Sequence, residues 1–347
     1  MPDQRELPPR RILLIRPSAL GDVCRTVPVL VSLRRAWPDA EIDWLVQDDF
    51  AQAIMHHPDL TRVIPFKRRE LGNSIARGSF GPLAQFVAQL KRAKYDLVFD
   101  LQGLARSGFF ARATLAPKRI GYADARELGW LALTHKVPVS ATMHTVDRML
   151  ALLSPVGVEP VRDMRLYVSE EDRLHTLADI DLPSGGYIVI APGSRWPGKC
   201  WPADRFAEVA LRVLHHGYKV VLVGSRSERE HAGRLLDLSD NNKKVIDRMG
   251  ATTIGQLMAI ISLSRMVIAN DSAALHMAVG FDKPIIALYG PTNIDLVGPY
   301  KRNADVIQHL GKGDVLDHKR EASGKILMNR ITAEEVCLRL DTAMLDD

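Results

Sequence analysis

The 347-residue sequence lacks several features that would assign it to a common protein class. No apolar run approaches the roughly 18 residues of a membrane-spanning helix, so we expect a soluble chain. The three cysteines, Cys24, Cys200 and Cys337, have neither metal-binding spacing nor an even count, which favours a reducing cytoplasm. The first 11 residues are charged and proline-rich without an apolar segment, which predicts a short disordered lead and no secretory signal.

Signatures of several enzyme classes are also missing. No G-x-G-x-x-G sequence follows a strand, which weakens a dinucleotide-binding interpretation, and there is no G-x-S-x-G sequence of a serine nucleophile. The sole D-x-D sequence, Asp179 to Asp181, lies in a turn-rich region and not after a core strand. We therefore predict no metal site.

Positive charge is concentrated in the first half of the chain. The net charge is +5, and residues 1–170 contain 24 lysines and arginines against 18 aspartates and glutamates. Basic runs at 66–70, 89–96 and 115–122 contribute to this excess. The excess suggests an anionic partner for the first half, although any single run is more simply explained as solvated surface.

Strand-like and helix-like patterns alternate along both halves. Strands are predicted at 11–16, 41–46, 61–66, 95–100, 187–192, 218–224, 244–247, 266–269 and 284–290. Such alternation predicts parallel sheets, and we expect an α/β protein with two Rossmann-like, doubly wound domains facing each other across a cleft. The predicted boundaries are 11–160 for the first domain, 161–186 for a linker, 187–331 for the second domain and 332–347 for a final helix.

Residues 266–292, MVIANDSAALHMAVGFDKPIIALYGPT, are patterned as strand, helix and strand. Asn270, Asp271 and Ser272 follow the first strand directly, and these residue types cap helix N-termini. A helix N-terminus has free backbone N–H groups and a partial positive charge, which together suit a phosphate. Because ligands bind at the carboxyl ends of strands in open α/β sheets, we predict a phosphorylated ligand here.

The first predicted strand leads into a similar turn, RPSALGDV. Ser18, Gly21 and Asp22 lie between the strand and an amphipathic helix. Gly21 is expected to allow a tight turn, so that Asp22 projects at the carboxyl edge of the sheet. The local pattern leaves two roles open for Asp22, helix capping and a catalytic carboxylate.

A third loop, Gly193 to Cys200, has the G-x-x-x-x-G-K spacing of a P-loop. Cys200 replaces the hydroxyl residue that would hold Mg²⁺, and Pro197 lacks an N–H group to offer a phosphate. Both features count against a nucleotide-hydrolysing P-loop. Lys199 is nevertheless placed to neutralise a phosphate, with a solvated loop lysine as the alternative.

Taken together, these motifs resemble glycosyltransferase family 9, the ADP-heptose:lipopolysaccharide heptosyltransferases. The resemblance extends from Arg11 to about Tyr300. The motifs that support it are RPSALGDVCRTVPVL (16–30), DWLVQDDFAQ (43–52), FDLQGLARSG (99–108), APGSRWPGKCWP (191–202), VLVGSRSERE (221–230) and ANDSAALHMAVGFDKPIIALYGPT (269–292). It implies the GT-B fold, with an N-terminal acceptor domain, a C-terminal nucleotide-sugar domain and a final helix that packs back toward the first domain.

The resemblance also implies roles for individual donor-side residues. Lys199 matches the lysine that contacts the donor pyrophosphate, with Ser194 beside it, and Glu228 matches a ribose-binding acid. The donor-binding turn and helix are matched by Asp271, Ser272, Ala273 and His276. Family members often have glycine where this chain has Ala273, and a core histidine is the alternative for His276.

On the acceptor side, Asp22 matches the proposed general base, and Ser18 and Gly21 of the same loop are expected to bind the acceptor. Arg68, Arg69 and Arg126 resemble basic residues that meet the anionic Kdo or phosphate groups of the acceptor. No catalytic metal and no cofactor are implied.

The implied function is inverting, metal-independent transfer of heptose from ADP-heptose to the Kdo/heptose inner core of lipopolysaccharide. The enzyme would act in the cytoplasm, in peripheral contact with the inner membrane and with a Kdo-lipid A type acceptor. A nucleotide hydrolase that uses the damaged P-loop remains one alternative. A non-enzymatic anion-binding module remains another, although nucleic acid is disfavoured because the basic residues are not interleaved with aromatics.

Overall fold

The computed structural model describes residues 7–180 and 186–345. The chain forms two compact units that divide between Tyr167 and Val168. This division lies inside the segment 161–186 that was expected to be a linker, and the helix that follows it belongs to the second unit. Predictions for residues 1–6, 181–185 and 346–347, which include Asp181 and part of the amino-terminal lead, lie outside the described residues.

The first unit contains a six-stranded parallel sheet with helices around it. Its strands are β1 (Arg11–Ile15), β2 (Glu41–Gln47), β3 (Arg62–Phe66), β4 (Leu97–Asp100), β5 (Lys118–Tyr122) and β6 (His135–Val137). Its helices are α1 (Leu20–Ala36), α2 (Arg68–Ala76), α3 (Gly81–Arg92), α4 (Ala105–Ala113) and α5 (Thr145–Ala151). The strand order is β3-β2-β1-β4-β5-β6.

The second unit repeats this topology. Its helices are α6 (Glu170–Ile180), α7 (Ala203–His215), α8 (Gly233–Asn241), α9 (Ile254–Leu263), α10 (Ala273–Gly280), α11 (Ile294–Val297), α12 (Glu321–Asn329) and α13 (Ala333–Leu345). Its strands are β7 (Tyr187–Ala191), β8 (Lys219–Leu222), β9 (Val245–Asp247), β10 (Met266–Asn270), β11 (Ile285–Leu288) and β12 (Val306–Ile307). They are parallel, in the order β12-β11-β10-β7-β8-β9.

The central strands are apolar throughout because helices cover both faces of each sheet. Residues 12–15 of β1 and 187–190 of β7 are fully buried without alternation, the usual pattern of a buried parallel strand. Around the second sheet, α7 buries Phe206, Val209 and Val213, which are spaced as on one face of a helix. The prediction of two doubly wound α/β domains is therefore confirmed.

Several elements differ from the sequence prediction. The short strands β5, β6 and β12 were not predicted, because β5 and β6 contain lysine, arginine or histidine and β12 has only two residues, so each gives little apolar signal. The helix α6 lies in the expected linker and packs on α9. The final helix, α13, packs against α7 of its own unit, where Val336 and Leu340 are fully buried; its packing toward the first domain stays a prediction. None of the described helices combines the length and apolar character that a membrane span requires.

Candidate active site

Both sheets reverse their strand order at the same place in the topology. The reversal lies between β1 and β4 in the first unit and between β7 and β10 in the second. The loops that leave neighbouring strands there run in opposite directions and open a crevice, where ligands bind in doubly wound folds. Asp22 follows β1, Lys199 follows β7 and Asp271 follows β10, so the predicted residues lie at these two positions.

Asp22 is held between two arginines in the first turn of α1. Its Oδ2 lies 3.0 Å from a terminal nitrogen of Arg16, and its Oδ1 accepts from Arg25. The backbone N–H of Ala19 also donates to Oδ2, at 3.3 Å. Asp22 therefore does cap its helix, and its side chain remains a quarter exposed.

The arginines decide the charge state of Asp22. Burial alone would raise the pKa of this carboxyl group, but the guanidinium groups of Arg16 and Arg25 and the Ala19 N–H hold the pKa well below its usual range. Asp22 is therefore ionised at neutral pH.

The prediction that Gly21 allows the tight turn before Asp22 was wrong, because Gly21 lies inside α1 and the turn is formed by the residues before it.

The β4–α4 loop is fixed to the same cluster. The second terminal nitrogen of Arg16 donates to the carbonyl of Leu101. The buried carboxyl of Asp100 accepts from the N–H groups of Gln102 and Gly103, both at 3.0 Å, and so fixes the loop conformation. Ser18, half-buried, donates its backbone N–H to Gln102 at 3.4 Å.

The predicted acceptor arginines follow β3 and β5 at this edge of the sheet. Arg68 and Arg69, at the start of α2, are exposed and line a cavity of about 450 Å³ together with Gln47. The backbone of Gln47 donates to the carbonyl of Pro17 at 3.0 Å, which places the cavity beside the loop that leads to Asp22. Arg126 is exposed, and its backbone N–H donates to Gly103 at 2.9 Å.

In the second unit, Asp271 is the centre of a buried polar cluster. Its Oδ2 lies 2.5 Å from Nζ of Lys199 and accepts from the Thr292 hydroxyl at 2.9 Å. Its Oδ1 is 3.9 Å from Nε2 of His276. His276 is buried, as expected of a core histidine, but its ring faces Asp271. Burial would raise the pKa of Asp271, but Lys199 and His276 lower it. The cluster thus pairs an ionised carboxylate with the lysine.

Next to this cluster, the N-terminus of α10 offers groups to an anion. Ser272 is the N-cap residue, and within the described part of the chain its buried hydroxyl has no hydrogen-bond partner. Ala273 is the first helical residue. Ser194 donates to the carbonyl of Asp271 at 3.0 Å and holds the β7 loop beside the helix. A free hydroxyl, helix N–H groups and a nearby lysine form a phosphate-type site.

The loop 193–200 does not have a P-loop conformation. It contains a 3-10 turn in which the N–H groups of Lys199 and Cys200 donate to Trp196 and Pro197 and are not left for a phosphate. Gly198 packs closely on α12: a Cβ on Gly198 would lie 3.1 Å from Cα of Glu321, and a Cβ on Gly324 would lie 2.4 Å from the Gly198 carbonyl oxygen. The hydrolase alternative therefore has no support from this loop.

Glu228, the predicted ribose-binding residue, lies in a 3-10 turn after β8. Its Oε2 accepts from the N–H of Ser225 at 2.6 Å, so one oxygen caps this turn. The ribose-binding role stays a prediction. The described residues contain no cluster of three or more histidine, cysteine, aspartate or glutamate side chains that could hold a metal.

Sequence reasoning missed several residues of these clusters. Arg25 was not considered because the residues around it in α1 are mostly apolar, although its spacing of three from Asp22 is a signal for an ion pair. Thr292 and His318 come close to the lysine cluster only through tertiary folding. His318 packs on Trp196 with ring centroids 5.1 Å apart, and burial and the Lys199 charge lower its pKa.

Comparison with known proteins gives consistent matches over most of the chain. The family model described as glycosyltransferase family 9 (heptosyltransferase) matches residues 83–325. Lipopolysaccharide heptosyltransferase 1 of Pseudomonas aeruginosa is 33% identical over 310 residues, which cover 87% of this chain and 83% of that protein. Lipopolysaccharide heptosyltransferase 2 of Salmonella typhimurium is 26% identical, with 93% and 97% covered.

A solved structure supports the fold. The Escherichia coli ADP-heptose lps heptosyltransferase II superposes with a TM-score of 0.80 at 24% identity, with 97% of this chain and 99% of that chain covered. The similarity extends over both units.

Proposed function

Because this chain belongs to glycosyltransferase family 9 (heptosyltransferase), we propose that it transfers a heptose from an ADP-heptose donor to the inner core of lipopolysaccharide. The observation that carries the proposal is the phosphate-type site formed by Lys199, Ser272 and the N-terminus of α10. A nucleoside diphosphate sugar has the charge that this site would bind. Structures of Escherichia coli heptosyltransferase WaaC are described with ADP and with a fluorinated ADP-heptose.

In the proposed mechanism Asp22 is the general base for an inverting displacement. Its ionised carboxylate would accept the proton of the attacking acceptor hydroxyl. The low pKa of Asp22 makes it a weak base, so we expect proton transfer late, when the attacking oxygen has already gained positive charge from bond formation. Arg16 and Arg25 orient the carboxylate.

The leaving ADP would be stabilised by the second unit. Lys199 would share its positive charge between Asp271 and the developing pyrophosphate charge, and the helix N–H groups and the Ser272 hydroxyl would donate to phosphate oxygens. Glu228 would bind the ribose through its second carboxylate oxygen. With these groups we propose that no metal is needed to stabilise the leaving group.

The acceptor would be an anionic, lipid-linked sugar. Arg68, Arg69 and Arg126 are exposed at the same sheet edge as Asp22, where they would bind carboxylate or phosphate groups. Such a substrate resides in a membrane, so we propose peripheral association of the enzyme with the inner membrane.

The test is transfer by the purified chain. We expect ADP release from ADP-heptose that depends on a Kdo-lipid A acceptor, with the heptosylated product identified by mass spectrometry. ADP release without acceptor, or ATP hydrolysis without transfer, would reject the proposal. Excess EDTA should leave the rate largely unchanged; loss of activity that Mg²⁺ restores would reject the metal-independent mechanism. Other nucleotide sugars serve as donor controls.

A further inference from the structure

Three large apolar side chains are exposed beside one another on the first unit. Phe109 of α4 is 47% exposed, and Leu128 and Leu131, at the short 3-10 turn before β6, are 65% and 60% exposed. The helix and the turn touch through glycines, since a Cβ on Gly108 would lie 2.8 Å from the carbonyl oxygen of Gly129. Gly108 precedes Phe109 and Gly129 follows Leu128. The apolar side chains therefore lie on either side of this contact between helix and turn, which is called the seam below.

Arginines lie at both ends of this seam. Arg106 and Arg112 are exposed and come three residues before and three after Phe109, a spacing that keeps neighbours on one side of a helix. Arg112 is close to Arg119, whose pKa is lowered by burial and then by the Arg112 charge. Arg119 in turn donates to the carbonyl of Ala132 at 2.7 Å, so Arg112 lies near the end of the turn.

The α4 patch is defined as the exposed side chains of Arg106, Phe109, Arg112, Leu128 and Leu131. Beyond it, Nζ of Lys136 lies 4.5 Å from the ring centroid of Trp130, which is half-buried. Tryptophan and lysine side chains have an apolar body and a polar tip, and such side chains are common at membrane–water interfaces. We propose that the α4 patch docks the enzyme on an anionic lipid surface.

Charge complementarity favours an anionic lipid surface. Both charged side chains of the patch, Arg106 and Arg112, are cationic, and positive charge beside exposed apolar side chains is the composition that binds anionic membranes. An anionic bilayer accommodates both, because apolar side chains enter below the headgroups while arginines stay at the phosphates. The acidic neighbour Glu127 accepts from the N–H of Ala105 at 3.2 Å, where the N-terminus of α4 compensates its charge.

The patch adjoins the acceptor residues, and in this respect the inference rests on the proposed function. The guanidinium carbon of Arg106 lies 5.8 Å from the ring centroid of Phe66, two residues before Arg68, so Arg106 lies near the arginines of the 450 Å³ cavity. Arg106 also follows the loop whose Leu101 carbonyl binds Arg16. An enzyme docked through this patch would meet the headgroup of a lipid-linked acceptor without extracting the lipid from the bilayer.

The experiment is flotation of the full chain with vesicles of phosphatidylcholine, with and without phosphatidylglycerol. The test variant combines Phe109→Gln, Leu128→Asn and Leu131→Gln; asparagine is chosen at 128 because that residue has a positive φ of 60°. The parent should float with anionic vesicles, and less at high salt. The variant should bind them about tenfold more weakly or worse, because three apolar side chains no longer leave water.

The matched control is Leu211→Gln with Leu338→Gln, on α7 and α13 of the second unit, where the leucines are 51% and 67% exposed. It should float like the parent. The test variant should also show a raised KM for acceptor in vesicles, with parent values for ADP-heptose and for a deacylated, water-soluble acceptor.

Each other outcome has a separate meaning. The inference would be overturned if the test variant floated as well as the parent. It would also be overturned if the parent transferred heptose to the deacylated acceptor but never floated, and in that case the proposed function stands. Loss of a dimer in light scattering with unchanged flotation would assign the patch to a second copy and also overturn it. Patch-dependent flotation without any transfer would support the inference and reject the proposed function.

Discussion

Arg16 binds Oδ2 of Asp22 at 3.0 Å while its other terminal nitrogen donates to the Leu101 carbonyl. The arginine is almost fully buried and the Asp22 side chain is a quarter exposed, so this bridge is partly shielded from solvent. The carboxylate proposed as the general base is thereby fixed relative to the β4–α4 loop. Predictions about Asp22 can be tested separately from predictions about the donor cluster, because the two clusters lie in different units.

Asp22→Asn should lower kcat by roughly 10²- to 10⁴-fold, the usual effect of losing a general base, with little change in the KM for ADP-heptose. Steady-state ADP release checks both constants. Asparagine cannot neutralise Arg16 and Arg25, so a lower Tm is also expected, and the assay temperature must keep both proteins folded. Unchanged kcat would leave Asp22 with helix capping alone.

Arg25→Gln should shift the acid limb of the kcat profile to higher pH. In the parent, the depressed pKa keeps Asp22 ionised across the neutral range; removing one cation raises that pKa. The stability from Asp22 is present above its unfolded pKa of about 3.9 and is lost as the pH falls through its lower folded pKa. In the variant this contribution is smaller.

Rates and unfolding free energies measured from about pH 8 down to about pH 2.5 check the Arg25→Gln prediction, since the contribution of Asp22 is lost below the ordinary pKa of a carboxyl group. Arg35→Gln, an exposed arginine near the end of the same helix, is the control and should leave both profiles unchanged. Superimposable profiles for Arg25→Gln and the parent would show that Asp22 does not limit the acid side.

Lys199→Met should raise the KM for ADP-heptose and lower kcat, with a combined loss in kcat/KM of roughly 10- to 100-fold, as expected for a charge-assisted hydrogen bond. The matched control is Lys325→Met on the neighbouring α12, where the lysine is half-exposed and pairs with Glu321 at 2.6 Å. Parent-like kinetics for Lys199→Met would remove this lysine from the donor site.

Gly324→Ala should destabilise the protein by roughly 1 to 3 kcal/mol, although alanine usually stabilises a helix interior relative to glycine. The added Cβ would overlap the Gly198 carbonyl oxygen, next to Lys199, so the donor KM should rise as well. Gly233→Ala, whose Cβ would meet its nearest neighbour at 4.0 Å, is the control. Urea unfolding and donor titration distinguish the two, and equal stabilities would contradict the close packing of α12 on this loop.

Arg68→Glu with Arg69→Glu should raise the acceptor KM and flatten its salt dependence, while the donor KM stays near the parent value. Screened charges act over roughly 8 to 10 Å near physiological salt. Lys91→Glu with Arg92→Glu makes the same charge change on exposed residues at the end of α3 and should have little effect. The two constants are measured at low and moderate salt. An effect on the donor constant alone would mean that the acceptor and donor assignments of the units are reversed.

The sequence predicted the parallel α/β class because long apolar strands buried on both faces leave a continuous signal, as in β1 and β7. It could not predict β5 or β12, whose few residues pair only because neighbouring strands supply the hydrogen bonds. Residues 227–238 have a helix-like pattern, but the chain there forms a 3-10 turn followed by α8, a distinction that apolar periodicity does not make.

By itself the sequence predicted which segments would carry chemistry, because Asp22, Lys199 and Asp271 come shortly after strands, and the carboxyl ends of parallel strands form the edge of each sheet where ligands bind. Only the tertiary structure decided the partners of these residues. Arg16 reaches Asp22 and Leu101 across the strand-order reversal, and Thr292 joins Lys199 at Asp271 from a loop about twenty residues away along the chain. Charge state depends on distances of a few ångströms between such groups, and those distances are set by packing and not by spacing along the chain.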